Sequence, residues 1–297
     1  MDWLNITFPV SGVEVNLLVP PLVALVISFF ASLSGLSGAF LIMPYMISGL
    51  GFAGPPASAT NFVFNIAAIP SGVYNFTRQK RVLWPMVLTV TVGTLPGLAL
   101  GYYIRVVYLP DPARFKIFVG ALFVYLAVKL LLEILGRGSR GARVQAGELS
   151  TLSAGISRVA FKLGEREFSF RPLPLFLFAL LVGVIGGAYG LGGGVLIVPF
   201  LVALEGLPIY AIAGGAILST FLASVAGVMV YSFIPIGGRF SGPDWGLGLL
   251  FGAGGALGVY LGSRAQRYVP ERLIRVILFL ILTGLAIKYL SGIRYHI

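Results

Sequence analysis

Gly35-Leu36-Ser37-Gly38-Ala39-Phe40-Leu41-Ile42-Met43-Pro44-Tyr45 returns in the second half of the chain as Gly190-Leu191-Gly192-Gly193-Gly194-Val195-Leu196-Ile197-Val198-Pro199-Phe200. Each copy is a glycine-rich interruption inside a long apolar run, closed by a proline. Glycine loosens a helix and proline removes one of its hydrogen bonds, so neither run reads as one plain helix. Two such breaks at corresponding places in a duplicated apolar chain are the pattern of a transporter whose broken helices meet at the cargo site.

Composition decides the solvent. Of the 297 residues, 58% are hydrophobic and 10% charged, and the mean hydropathy is +0.96. That leaves too little polar surface to cover a water-soluble globule. The fold class is therefore an all-α polytopic membrane protein, expected as a multi-pass protein of the cell membrane. A crossing takes about 20 helical residues, and runs of that order cover Pro55–Phe76, Val82–Ile104, Phe115–Leu135, Ile209–Pro235, Trp245–Leu261 and Leu273–Leu290. These are six ordinary spans, three in each half. The two runs that hold the breaks, Pro20–Gly49 and Leu173–Leu204, would each be about 45 Å long as helices, against a hydrocarbon core of about 30 Å.

The organisation follows: a non-cytoplasmic segment 1–19, a first repeat 20–135, a basic linker 136–171 and a second repeat 172–297. Residues 1–19 carry Asp2 and Glu14 but no Lys or Arg, so they lack the basic start of a secretory signal and stay on the protein. Tyr74 corresponds to Tyr231, Lys116 and Lys129 to Arg275 and Lys288, and the ladder Gly93, Gly97, Gly101 to Gly254, Gly258, Gly262. Small residues at every fourth position let helix backbones approach closely, and the ladders are read as packing seams. In the linker, Val159, Phe161 and Leu163 alternate with polar or small residues, Gly164 to Arg166 offers a turn, and Phe168 and Phe170 alternate again, the pattern of a hairpin.

Two topologies compete. If both broken runs are re-entrant, the halves are inverted with respect to each other. Arg78, Lys80, Arg81, the linker, Arg264, Arg267, Arg272 and Arg275 then fall inside and the acidic start outside, as the positive-inside rule prefers. If both runs cross, there are eight plain spans. Inverted repeats are the favoured expectation, because a dry medium accepts broken helices only where they line a protein interior.

Much chemistry is excluded. There is no cysteine, and the one histidine, His296, stands next to the last residue, so metal and acid-base sites lack their usual groups. No catalytic residue, metal site or cofactor is expected. Gly35-Leu36-Ser37-Gly38 fits the G-x-S-G pattern of intramembrane serine proteases, but the chain offers its nucleophile no base. The Gly190–Gly194 cluster has no lysine after it to serve a nucleotide phosphate. The net charge of +11 is spread over segment ends and fits anionic lipid, not nucleic acid. No Asp or Glu lies inside a span, so a buried carboxylate is not on offer for proton coupling.

What remains suits an anion. A helix restarting after a glycine break presents unpaired N–H groups and a partial positive charge. The residues expected at such a cradle are Ser34, Ser37, Gly38, Thr60, Asn61 and Asn65 in the first half, with Tyr189, Gly192, Gly193, Gly194, Ser219 and Thr220 in the second. Thr60, Asn61 and Asn65 are taken to share one helix face, whereas Ser224 is read as bonding its own helix carbonyl four residues back. A passive anion channel is the alternative to a carrier, and sequence does not fix the oligomeric state, leaving a homodimer open.

These residues carry a resemblance. Gly35-x-Ser37-Gly38-x5-Pro44 and Gly190-x-Gly192-Gly193-Gly194-x4-Pro199 are followed by Ala57-x-Ala59-Thr60-Asn61 and Ala213-x-Gly215-Ala216-Ile217. Together with the small-xxx-small helices beyond, they resemble the TauE/SafE sulfite exporter family of permeases over roughly residues 20 to 290, the linker left out. The resemblance implies a secondary transporter of small sulfur-containing or carboxylate anions, such as sulfite, sulfoacetate, sulfolactate or thiosulfate. One position departs: the family's Thr-Ser pair after the second glycine motif reads Ala216-Ile217, with Ser219 and Thr220 just beyond.

Overall fold

The computed structural model describes residues 4–33, 37–135, 148–265 and 271–292. Two short strands, β1 (Asn5–Thr7) and β2 (Glu14–Asn16), open it as an antiparallel hairpin. The first half follows as α1 (Val19–Leu33), α2 (Ala39–Gly49), α3 (Pro55–Ala68), α4 (Pro70–Arg78), α5 (Trp84–Val107) and α6 (Pro112–Ile134). A three-stranded antiparallel sheet, β3 (Leu149–Ala154), β4 (Val159–Leu163) and β5 (Arg166–Phe170), joins the halves. The second half is α7 (Pro172–Tyr189), α8 (Gly194–Leu204), α9 (Ile209–Phe233), α10 (Trp245–Ala265) and α11 (Glu271–Leu290).

The protein is mostly helical. Among the described residues, five helices are long and apolar enough to cross a membrane: Trp84–Val107, Pro112–Leu132, Pro172–Tyr189, Tyr210–Phe233 and Trp245–Gly262. The expected six ordinary spans differ in one place. Pro55–Phe76 is not one helix, because Pro70 cannot donate a backbone hydrogen bond and its ring clashes with the preceding turn. The chain ends α3 at Ala68 and restarts with Pro70 at the first position of α4, where a missing N–H costs nothing. At the other end of the chain, α11 runs from Glu271 to Leu290 and contains the expected Leu273–Leu290 run.

The linker hairpin forms with the expected alternation, pairing Val159 with Phe170, Phe161 with Phe168 and Leu163 with Arg166. Phe161 and Phe168 stack with ring centroids 5.8 Å apart. The third strand, β3, and the β1–β2 hairpin were not anticipated, and they add small sheets to the all-α reading. Both are short and polar, without the long alternation that announces a strand.

The glycine ladders are close seams. Gly93, Gly97 and Gly101 on α5 face the Phe176, Leu180 and Val184 carbonyls on α7, and a methyl group on any of them would collide there. Gly254, Gly258 and Gly262 on α10 meet the Pro21, Leu25 and Phe29 carbonyls on α1 in the same way. In both seams the two helices run parallel.

In both broken runs, residues on the two sides of the break come into contact. Phe178 on α7 stacks on Phe200 on α8 with centroids 3.9 Å apart, whereas a straight helix would separate them by about 33 Å. In the first half Gly38 returns to Ser28 on α1, so close that a Cβ there would stand 2.6 Å from the Ser28 Oγ. The ends of the bundle are marked by two clusters. At one, Arg81 donates to the Tyr210 carbonyl at 3.2 Å and lies 3.5 Å over the Tyr210 ring, while the Lys80 and Glu148 side chains pair at 3.1 Å. Burial lowers the Arg81 guanidinium from its ordinary pKa, and Tyr210 works the other way. At the other, the buried Asp244 accepts from the Ser11 hydroxyl and the Val10 and Ser11 amides, and its own amide donates to the Thr60 hydroxyl at 2.9 Å.

Candidate anion site between the glycine breaks

The site is organised by α3. Gly54 in extended conformation and Pro55-Pro56 start this helix, a pairing that suits a helix N-terminus. Every residue from Ala57 to Asn65 is buried, Ser58, Thr60, Asn61 and Asn65 completely so. Four polar side chains on two turns of a buried helix each need a partner, since an unpaired one costs about 1–3 kcal/mol. For Ser58, Asn61 and Asn65 the partners lie at the two breaks.

Asn61 donates from Nδ2 to the Ala39 carbonyl at 3.0 Å, the first residue of α2. Asn65, one turn on, accepts from the Ser37 hydroxyl at 3.2 Å and donates to the Gly190 carbonyl at 3.5 Å, so one amide touches both breaks. Ser58 donates to the Ala188 carbonyl at 2.8 Å. Tyr189, fully buried, closes the set by donating to the Phe40 carbonyl at 2.6 Å. The end of α7 and the start of α2 are thus bound to each other and to the same face of α3.

The backbone of the second break needs glycine. Gly190, Gly192 and Gly193 have φ of 88°, 68° and 92°, in the left-handed region where a side chain costs roughly 1–2 kcal/mol. Gly190 also lies so close to α3 that a Cβ would strike the Ser58 carbonyl. Gly194 begins α8 and donates its N–H to the Thr220 hydroxyl at 3.0 Å. In the first break Gly38 has ordinary helical angles, φ −61° and ψ −18°; its requirement is the contact with Ser28. Ser37 accepts from the Ala39 amide at 3.3 Å, a local serine turn just before α2.

Of the anticipated residues, Ser37, Gly38, Asn61, Asn65, Tyr189 and Gly192 to Gly194 lie in or against the breaks. Thr220 reaches the second break through Gly194 while donating to the Ala216 carbonyl four residues back. Ser219 donates to the Gly215 carbonyl, and Ser224 to the Thr220 carbonyl, so both hydroxyls bond their own helix. Thr60 points elsewhere: it donates to the Pro56 carbonyl and accepts from the Asp244 amide, tying α3 to the start of α10. It shares a helix with Asn61 but sits about 100° round from it. Ser34 and His296 lie outside the described residues.

Arg105 was missed by sequence reasoning. It lies in the last turn of α5 and is fully buried. Its Nε donates to the Ser58 hydroxyl at 3.2 Å, its Nη atoms donate to the Leu109 and Ala53 carbonyls, and its guanidinium sits 3.6 Å over the Phe115 ring. All these partners are neutral. Among the described residues no carboxylate pairs with it, which leaves a positive charge one hydrogen bond from the second break. The available signal was an arginine one residue past the end of an apolar run, Val82–Ile104, that looked complete without it. Tyr231, donating to the Gly187 carbonyl at 2.8 Å, packs beside Tyr102 and extends the polar layer.

The arrangement sets a fixed cation and the two breaks against one face of α3, surroundings that favour a small anion, with the Ser37, Ser58, Asn61, Asn65 and Tyr189 donors engaged with protein acceptors. It is poorly suited to nucleophilic catalysis, since Ser37 pairs with an amide and no general base is near it among the described residues. No curated protein and no solved structure matches the chain. The family model for the sulfite exporter TauE/SafE matches residues 21–289, nearly the whole chain. The chain belongs to the TauE/SafE sulfite exporter family and is a multi-pass membrane protein of the anion-transporter type.

Proposed function

We propose that the protein is a secondary transporter that carries small sulfur-containing anions, such as sulfite, sulfoacetate or thiosulfate, across the cell membrane, binding them where the two glycine breaks meet on α3. The observation that carries this reading is the convergence of both breaks on Asn61 and Asn65 beside Arg105, a buried cation whose partners among the described residues are all neutral. Burying a charge without a counterion is costly. A cargo anion supplies that counterion. The glycines let its oxygens approach the backbone, and the α2 and α8 starts add their dipoles.

Alternating access on this reading comes from two inverted repeats, residues 20–135 and 172–297, each with a re-entrant broken segment. Three observations support it. The seams α5–α7 and α1–α10 exchange partners between the halves, as a two-fold relation requires. The Phe178–Phe200 stacking is what a chain turning back between α7 and α8 would give, and the Arg81–Tyr210 contact sets the start of α9 beside the loop before α5, as the same course would. Asp244 gathers the N-terminal segment, α3 and the start of α10 at the opposite end. Eight plain spans would put the members of each cluster on opposite faces of the membrane.

The test is a thermal-shift panel on detergent-purified protein with sulfite, sulfoacetate, thiosulfate, sulfate and acetate, followed by uptake and counterflow in proteoliposomes. A ligand that binds only the folded state raises the melting temperature with concentration. A sulfur anion should do so, and its labelled form should show counterflow, which a channel does not. No shift with any anion and no uptake would end the reading.

A further inference from the structure

Among the described residues, seven buried side-chain polar atoms lack a hydrogen-bond partner, and three of them lie against the glycine breaks: Ser28 Oγ, Asn61 Oδ1 and Thr94 Oγ1. Ser28 Oγ is 2.6 Å, and Thr94 Oγ1 4.0 Å, from where a Cβ on Gly38 and Gly193 would stand. Asn61 lies between the breaks, its Nδ2 on the Ala39 carbonyl and its Cβ 3.0 Å from a Cβ built on Gly190. All three side chains are at least nine-tenths buried. In a dry interior an unpaired polar atom carries a steep cost, and Asn61, bonded to one break and packed on the other, is the one placed to serve a ligand between them.

The three atoms differ in what they can accept. A hydroxyl donates or accepts as required, so Ser28 and Thr94 suit any oxyanion. Asn61 is more demanding. Its bond to the Ala39 carbonyl uses Nδ2 as donor, which fixes the amide's orientation and leaves Oδ1 as an acceptor only. A fully deprotonated oxyanion brings only lone pairs to that atom. An anion that carries an O–H or N–H of its own pairs with it.

Resting on the transport reading above, we propose that the site selects anions bearing their own hydrogen-bond donor, which Asn61 Oδ1 accepts while the charge faces Arg105 and the helix starts. The donor has two chemical sources: the acid proton of a monoprotonated oxyanion such as hydrogen sulfite, or a hydroxyl or amine on the carbon chain of a sulfonate. In the first case the proton crosses with the cargo and dissociates into water on release, with no titrating carboxylate required. The titratable or charged groups bonded around this part of α3 are Tyr189 on the Phe40 carbonyl, Tyr231 beside Tyr102, Arg105 on Ser58, and Asp244 through its amide on Thr60. No histidine stands among them, so the pH dependence sought below is that of the cargo's own proton.

Two ligand pairs on the native chain test this by thermal shift and by competition for uptake. The first pair is isethionate and ethanesulfonate, which differ by one hydroxyl. The second is sulfite at about pH 6 and about pH 8, where mass action on a single bound proton changes the affinity for total sulfite by about tenfold per pH unit above the acid's second pKa. The His296→Gln variant is run in parallel so that no slope can come from the one histidine. Isethionate binding at least about tenfold tighter than ethanesulfonate supports a donor on carbon, and sulfite binding that weakens with pH supports the acid proton. In Asn61→Leu either preference should vanish; should that variant fail to fold, the pairs on the native chain still decide. Equal affinity for isethionate and ethanesulfonate together with pH-independent sulfite binding overturns the proposal and leaves the transport reading standing. Absence of binding by every anion overturns both.

Discussion

Arg105 offers the sharpest test of what the buried charge is for. Its Nε lies 3.2 Å from the Ser58 hydroxyl, and Asn61 is three residues further along α3, a rise of about 4.5 Å. For an anion against Asn61, about one helical turn from Ser58, a charge separation of about 8 Å is taken. Two unit charges about 8 Å apart at an effective dielectric constant of about 20 attract by about 2 kcal/mol, which is about thirtyfold in affinity. Arg105→Gln should weaken sulfur-anion binding by that factor, measured as the anion concentration needed for half of the maximal thermal shift and as the half-saturation of uptake. Arg105→Lys keeps the charge but loses the planar fork that serves Ser58, Ala53 and Leu109 together. It should therefore retain most of the affinity while melting lower. A folded Arg105→Gln protein with affinity within about twofold of the native value would refute the reasoning, and Arg105 would then be only a clamp on the end of α5.

The other predictions separate packing from binding. Gly97→Ala drives a methyl into the Leu180 carbonyl and should cost at least about 1–3 kcal/mol, read as a lower melting temperature, whereas Gly284→Ala on α11 meets nothing within 4 Å and should be neutral or stabilising by up to about 1 kcal/mol. Gly193→Leu, at a φ of 92° with Val182 3.1 Å away, should abolish uptake; native uptake by this variant would remove the second break from the site. Thr60→Val removes the acceptor for the Asp244 amide and should cost about 1–3 kcal/mol of stability with little change in anion affinity, while Asn61→Ala should lower affinity by about tenfold or more. With single cysteines in this cysteine-free chain, Asn5→Cys and Phe240→Cys should react with an impermeant thiol reagent from outside and Glu205→Cys should not. Outside labelling at Glu205→Cys would refute inverted repeats.

How much of this was legible in the sequence differs from element to element. The breaks, the ladders and the β4–β5 hairpin are local patterns, written in glycine spacing and two-residue alternation, and the structure keeps them. The Ile69–Pro70 interruption was legible as well, since Pro70 stands inside the apolar run, but hydropathy alone does not see a missing hydrogen bond. The ladders advertised a close approach without naming the partner, because which carbonyls Gly97 and Gly258 touch depends on pairing between halves. Thr60 and Asn61 are neighbours in the chain, and only tertiary packing sends one to Asp244 and the other to Ala39. Ser28 and Thr94 gave no signal at all, because a hydroxyl in an apolar helix ordinarily bonds the carbonyl a turn behind it. Only the structure denies them that partner.

The deepest division is between scaffold and chemistry. The helices that make the seams come from both halves alike: α1 and α7 supply the carbonyls, and α5 and α10 the glycines. The polar groups do not repeat. In the register that aligns Ala57-x-Ala59-Thr60-Asn61 with Ala213-x-Gly215-Ala216-Ile217, Asn61 faces an isoleucine counterpart, and one turn further on Asn65 faces Phe221. The second half brings its glycines, with Tyr189 at the end of α7 donating across to Phe40, but its own long helix α9 offers hydroxyls bonded mainly to itself. On the proposed reading, a duplicated framework thus carries a one-sided site, in which α3 recognises the ligand through Asn61 and Asn65, each bonded to a break, while the second half supplies the glycines that let the cargo approach the backbone.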